Sequence, residues 1–189
     1  MESDLMARMS YLQIRQALAD FSAERAVGGQ PFETAVLWDD KESWAGTWSN
    51  EDMFVIVGAA WFPHEPGRTF VDIHAGGAYG LTASEELFES LCHASLRLDG
   101  GAPWTRRQPD GSVAFGWQQR LSSQFLYSEN YAEAFGLIEG AIWSFGRLAR
   151  EMANELIPRH GGLPLSASSP NSLPVMSTGL VPVQGPSAR

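Results

Sequence analysis

Between Ser128 and Pro158 the apolar side chains Tyr131, Phe135, Ile138, Ile142, Phe145, Ala149, Met152 and Leu156 recur three and four residues apart. That spacing draws one continuous stripe along a helix from Glu129 to Ile157, and a stripe of that length has to be covered by a second layer of structure. Pro158 lacks an amide hydrogen and is expected to end the helix.

The preceding residues supply the second layer. Leu5, Met9, Leu12, Ile14, Leu18 and Phe21 keep helical spacing over residues 3–23, and Gly28-Gly29 closes that segment. Glu33 to Trp38 reads as a strand, followed by an acidic, tryptophan-bearing loop from Asp39 to Asp52. Met53 to Phe62 is apolar on both parities, as a central strand is. After the turn residues His64-Glu65-Pro66-Gly67, the stretch Arg68 to Ala75 alternates, with Thr69, Val71 and Ile73 on one face and Phe70, Asp72 and His74 on the other. Gly76 to Gly80 reads as a loop. Thr82 stands three residues before Glu85, the capping-box spacing, and Leu87, Phe88, Leu91, Cys92 and Leu96 are expected on the buried side of the helix that follows. Pro109-Asp110-Gly111 separates Trp104 to Gln108 from Ser112 to Leu121 and marks a hairpin. Gln124 to Tyr127 adds a short strand or extends the one before it. From Leu163 onward the chain holds five of the eleven prolines, many serines and no acid.

The order helix-βββ-helix-ββ(β)-helix predicts an α+β fold, an antiparallel sheet with helices packed on one face, in a domain over residues 1–160. Residues 161–189 are expected to form a disordered Pro/Ser-rich tail. The sheet's other face, bearing Phe70, Asp72, His74, Ala114, Gly116 and Gln118, is expected to stay open and to dock another chain.

The 189 residues are 44% hydrophobic and 19% charged, enough for one well-filled core. Thirteen basic against 22 acidic residues give a net charge of −9, and Lys41 is the only lysine, which argues against nucleic acid and against an anionic membrane surface as partners. The excess is uneven. Residues 1–99 hold 16 acids and 6 bases while residues 100–162 hold six of each, so a partner meeting the acidic half is expected to be basic. One cysteine, Cys92, forms no intramolecular disulfide. Glu2 and Asp4 give the N-terminus the wrong charge for a signal peptide, and the ten-residue apolar run Met53 to Phe62 is far short of the ~20 a membrane helix needs. A cytoplasmic protein is expected.

Candidate chemistry is sparse. Gly76-Gly77-Ala78-Tyr79-Gly80 sits where a strand feeds a helix, a position suited to phosphate, yet no Lys-Ser/Thr follows and Glu85 and Glu86 would repel an anion. Asp72 and His74 share a strand face, but a metal needs three or four ligands and His64, His93 and His160 lie on other segments. No serine occupies a Gly-x-Ser-x-Gly turn, and Asp39, Asp40 and Glu42 lack calcium-loop spacing. No catalytic residue, metal or cofactor is expected. Trp61 and Trp117 fall in apolar strand patterns and read as core, whereas Trp44 and Trp48, in the polar loop, suit core and binding surface equally.

The segments Phe54-Val55-Ile56-Val57, Thr69-Phe70-Val71-Asp72-Ile73, the helix Glu85 to Leu98, Val113-Ala114-Phe115-Gly116-Trp117 and the helix Glu129 to Leu156 occur in an order that resembles the class I type III secretion chaperones and YbjN-type bacterial proteins. The chain looks like a diverged actinobacterial member over about residues 5–157. The resemblance implies a non-enzymatic module, often a homodimer or heterodimer, that binds an extended segment of a partner protein. It carries over the binding role and not a secretion pathway. The chain departs from the pattern in the long connection around Trp44, the piece at Gln124 to Tyr127 and the Pro/Ser tail. The peptide-binding candidates are Trp44, Trp48, Phe70, Asp72, His74 and Gln118. The alternative is a small-ligand sensor or enzyme using the Gly76 to Gly80 loop with Asp72 and His74.

Overall fold

The computed structural model describes residues 11–16, 18–19, 26–27, 30–31, 33–39, 43–49, 53–61, 69–95, 101–122 and 131–166. Helical residues 11–16 and 18–19 form α1. A two-stranded ribbon pairs β1 (Ala26–Val27) with β2 (Gln30–Pro31). The main sheet comprises β3 (Glu33–Asp39), β4 (Ser43–Ser49), β5 (Phe54–Trp61), β6 (Thr69–Leu81), β7 (Ala102–Arg107), β8 (Val113–Ser122) and the short β9 (Leu163–Pro164). Helix α2 spans Glu85–Ser95 and α3 spans Tyr131–His160. The fold is α+β: every strand pair is antiparallel, in the order β3-β4-β5-β6-β8-β7, with β9 beside β6.

Register follows the alternation of side chains, since directly paired residues share a face. One row runs Trp48, Val55, Ala75, Trp117 across four strands, and a parallel row runs Trp44, Ala59, Val71. These residues join Ile73, Val113 and Phe115 in a single core cluster with Tyr11 and Leu18 of α1, Leu87 and Leu91 of α2, and Ile138, Ile142, Ala149, Met152 and Leu156 of α3. The long stripe is thus answered by one face of the sheet. Gly146 lets α3 come close there, because a Cβ on it would lie 2.6 Å from Met53 Sδ and 3.0 Å from Val55 Cγ2.

Several sequence expectations are corrected. The acidic loop contains β4: in Ser-Trp-Ala-Gly-Thr-Trp-Ser, glycine at 46 stands between Trp44 and Trp48, whose rings sit 5.8 Å apart. Gly76 to Gly80 is no loop but the second half of the 13-residue β6, with register shifts between Gly76 and Ala78 and between Ala78 and Leu81. The α2 cap is Ser84, whose Oγ accepts the Leu87 N–H at 3.1 Å, while the Thr82 N–H donates to the His160 carbonyl. Leu87 and Leu91 carry that helix's contact with the core, which turns Cys92 outward and leaves Phe88 38% exposed. Helix α3 runs through Pro158. In the last turn proline forfeits a single ladder bond, and the Gly161 N–H still donates to the Ile157 carbonyl before φ of +74° at Gly161 turns the chain.

Residues 161–166, expected to belong to the tail, are part of the fold. Leu163 and Pro164 pair with Tyr79 and Ala78, the Leu165 N–H donates to the Gly77 carbonyl, and Leu165 is buried. Residues 167–189, the Ser128 cap, the turn at 64–67 and the piece at 124–127 lie outside the described residues. The hairpin at Pro109-Asp110-Gly111 is present, with Gly111 at φ +85° and Asp110 Oδ1 accepting the Ser112 N–H.

Candidate functional site

The second face of the sheet is closed rather than open. Phe54 and Ile56 are buried, as are Asp72 (3% exposed), His74 (5%) and Ala114. Two glycines show how the roof fits: a Cβ on Gly116 would meet Trp104 Cζ2 at 2.5 Å, and one on Gly76 would meet Leu165 Cβ and Phe54 Cδ1 at 3.0 Å. Trp104 of β7 and Leu165 therefore lie over the glycine row Gly76–Gly116. An expectation built on a bare face fails at the glycine row because β7 and the chain after α3 bring apolar side chains back over it.

At one corner this roof stops and leaves a cleft of about 480 Å³, lined by Asp72, His74, Gly101, Ala102, Gln118 and Arg120. The row His74, Gln118, Ala102 crosses its floor, and the next row pairs Asp72 with Arg120. The Arg120 Nε and Nη2 donate to Asp72 Oδ1 and Oδ2 at 2.7 and 2.9 Å, a bidentate fork, with the guanidinium carbon 5.2 Å from the Phe70 ring centroid. His74 Nδ1 is buried with no hydrogen-bond partner among the described residues. Burial holds the imidazole below its ordinary pKa; Asp72 opposes that shift and Arg120 adds to it. The ring is accordingly neutral at neutral pH.

Of the sequence candidates, Asp72, His74 and Gln118 meet at the cleft, and Phe70 lies under Arg120 at its border. Trp44 and Trp48 do not join them: each is 1% exposed and both belong to the core on the opposite face. Arg120, Gly101 and Ala102 escaped sequence reasoning. The alternation Gly116, Gln118, Arg120 puts Arg120 on the right face, but its pairing opposite Asp72 depends on the β6–β8 register, which local sequence does not state.

A second feature adjoins the cleft. Among the described residues strand β7 ends the sheet order, and its pairing with β8 has no register shift. Since the Gln108 N–H donates to the Ser112 carbonyl, the backbone N–H and C=O groups of the even-numbered β7 residues point to β8 and those of the odd-numbered ones point away. Pro103 occupies an outward position, where a missing N–H costs no ladder bond, and the N–H groups of Thr105 and Arg107 point off the sheet. At the opposite edge, β3 is broken by a bulge between Val36 and Trp38, a device that blunts pairing.

Among the described residues no three His, Cys, Asp or Glu side chains gather to hold a metal, and no helix is long and apolar enough to cross a membrane. Compared with known proteins, the chain matches no family model, and no curated protein and no solved structure matches it.

Proposed function

We propose that this protein is a non-enzymatic binding module that takes up an extended segment of a partner protein as an added strand on β7. The observation that carries this reading is the regular, unbulged edge of β7 with the Thr105 and Arg107 amides directed outward. Main-chain hydrogen bonds supply the affinity in such an addition and neighbouring side chains the selectivity. The resemblance to the secretion-chaperone and YbjN-type proteins implies the same role, moved here from an open face to an edge. Local charge sets the partner's character. Arg107 lies exposed on the strand itself, and charges beyond roughly 8–10 Å are screened, so the segment suited to this edge bears acids, the reverse of what the chain's average charge suggests.

The test is selection of peptides from a random display library against the whole chain, followed by affinity measurement on wild type and Thr105→Pro. Proline at 105 deletes an outward N–H and leaves the β8 ladder intact. The expected result is enrichment of acidic, strand-forming peptides whose Kd rises at least about tenfold in Thr105→Pro, a loss of about 1.4 kcal/mol. Peptides binding both proteins equally would refute the edge as the site.

A further inference from the structure

The corner cleft is not needed for strand addition, and its chemistry points elsewhere. We propose that it is a separate binding site for a small neutral molecule that presents an amide-type group, a carboxamide or ring lactam, to His74 and Gln118.

Its volume of about 480 Å³ falls within the roughly 300–1,000 Å³ of small-molecule sites. Its walls carry no net charge. Asp72 and Arg120 neutralise each other through two hydrogen bonds, and the buried imidazole is uncharged. A charged ligand would shed its water beside a pair that has already neutralised itself, and gains less from it than from a lone arginine or carboxylate. A neutral ligand meets no such cost.

His74 then selects the ligand's chemistry. The ring lines the cleft while its Nδ1 is shut away from water, so the Nε2 edge is the part that meets the cleft. Either neutral tautomer offers the cleft one hydrogen-bonding nitrogen, a donor or an acceptor, and the Gln118 amide offers one of each. An amide group, donating and accepting from adjacent atoms, satisfies both side chains whichever tautomer is present. Ala102, small and exposed at the rim, leaves the entrance clear.

Three near-isosteric probes separate the possibilities: benzamide (neutral), benzoate (anionic) and benzylamine (cationic), each titrated into the full-length ¹⁵N-labelled chain at pH 7.5. The readouts are the His74 ring nitrogens, by long-range proton–nitrogen correlation, and the Ala102 and Gln118 backbone amides. Benzamide is expected to move all of them saturably and to bind at least about tenfold more tightly than either charged probe. His74→Phe is expected to abolish the saturable shifts at Ala102 and Gln118, and His74→Gln, whose side-chain amide reaches a similar point, to retain them. Equal responses to the three probes, tighter binding of a charged one, no response to benzamide, or unchanged benzamide binding by a folded His74→Phe would each overturn the proposal. Peptide binding at β7 is measured separately and survives any of these failures.

Discussion

The Asp72–Arg120 ion pair joins a half-exposed side chain to a buried one, the arginine 41% and the aspartate 4% exposed. The asymmetry sets what each truncation does. Arg120→Ala strands a buried carboxylate and is expected to cost about 2–3 kcal/mol, below the ~3–5 of a fully buried pair because solvent screens the arginine side. Asp72→Ala frees a guanidinium that can turn to water and is expected to cost less. Urea unfolding midpoints rank the two. His74 adds a pH dependence of definite sign. Its folded pKa lies below the ordinary 6.5, so between the two values the unfolded chain holds a proton that the native state lacks. Stability from this group is therefore complete above about pH 6.5 and is lost as pH falls through the lowered native value. Denaturation of wild type and His74→Phe from pH 8 to pH 5 is expected to show a shallower decline in the variant. At this scale the sequence placed Asp72 and His74 on one face through their two-residue spacing. It could not place Arg120 beside them, because the contact spans 48 positions of chain.

Among the elements, the exposed glycines of α3 and the glycine row of the sheet respond oppositely to the same substitution. Gly136 and Gly140 lie inside α3 with nothing within 4 Å of an added Cβ. Alanine at each is expected to stabilise the protein by about 0.5–1 kcal/mol, raising the unfolding midpoint. In β8, a Cβ on Gly116 would meet the Ala75 carbonyl oxygen at 2.1 Å, and backbone cannot swing aside as a side chain does. Gly116→Ala is expected to destabilise by about 1–3 kcal/mol. Helix α3, the β7–β8 hairpin and the run of β5 were legible because each carries an unbroken period or a turn that enforces one. Strand β4 was not: its acidic flanks Asp40, Glu42 and Asp52 look like a loop, and the signal that it is a strand is the alternation Trp44, Gly46, Trp48. The second half of β6 was hidden for the converse reason. Its glycines look like punctuation, yet Gly77 is glycine because a Cβ there would press on the Phe115 ring at 2.6 Å.

The whole molecule is closed at the point where the sequence looked least structured. Leu165, 6% exposed, sits over Gly76 just past α3, so Leu165→Ala is expected to cost about 2–4 kcal/mol, a loss no disordered tail would show. Closure of the second face also moves the binding reading from the sheet's surface to its edge, and the fold class, legible from the order of elements, says nothing of that. Amide hydrogen exchange of the full chain, followed residue by residue with and without a selected peptide, tests strand addition most directly. Trp104 and Arg106, bonded to β8, are expected to exchange slowly in both states. Thr105 and Arg107 are expected to exchange quickly in the free protein and at least about tenfold more slowly in the complex, as amides paired with an added strand do. Exchange at Thr105 and Arg107 that the bound peptide leaves unchanged would contradict the account.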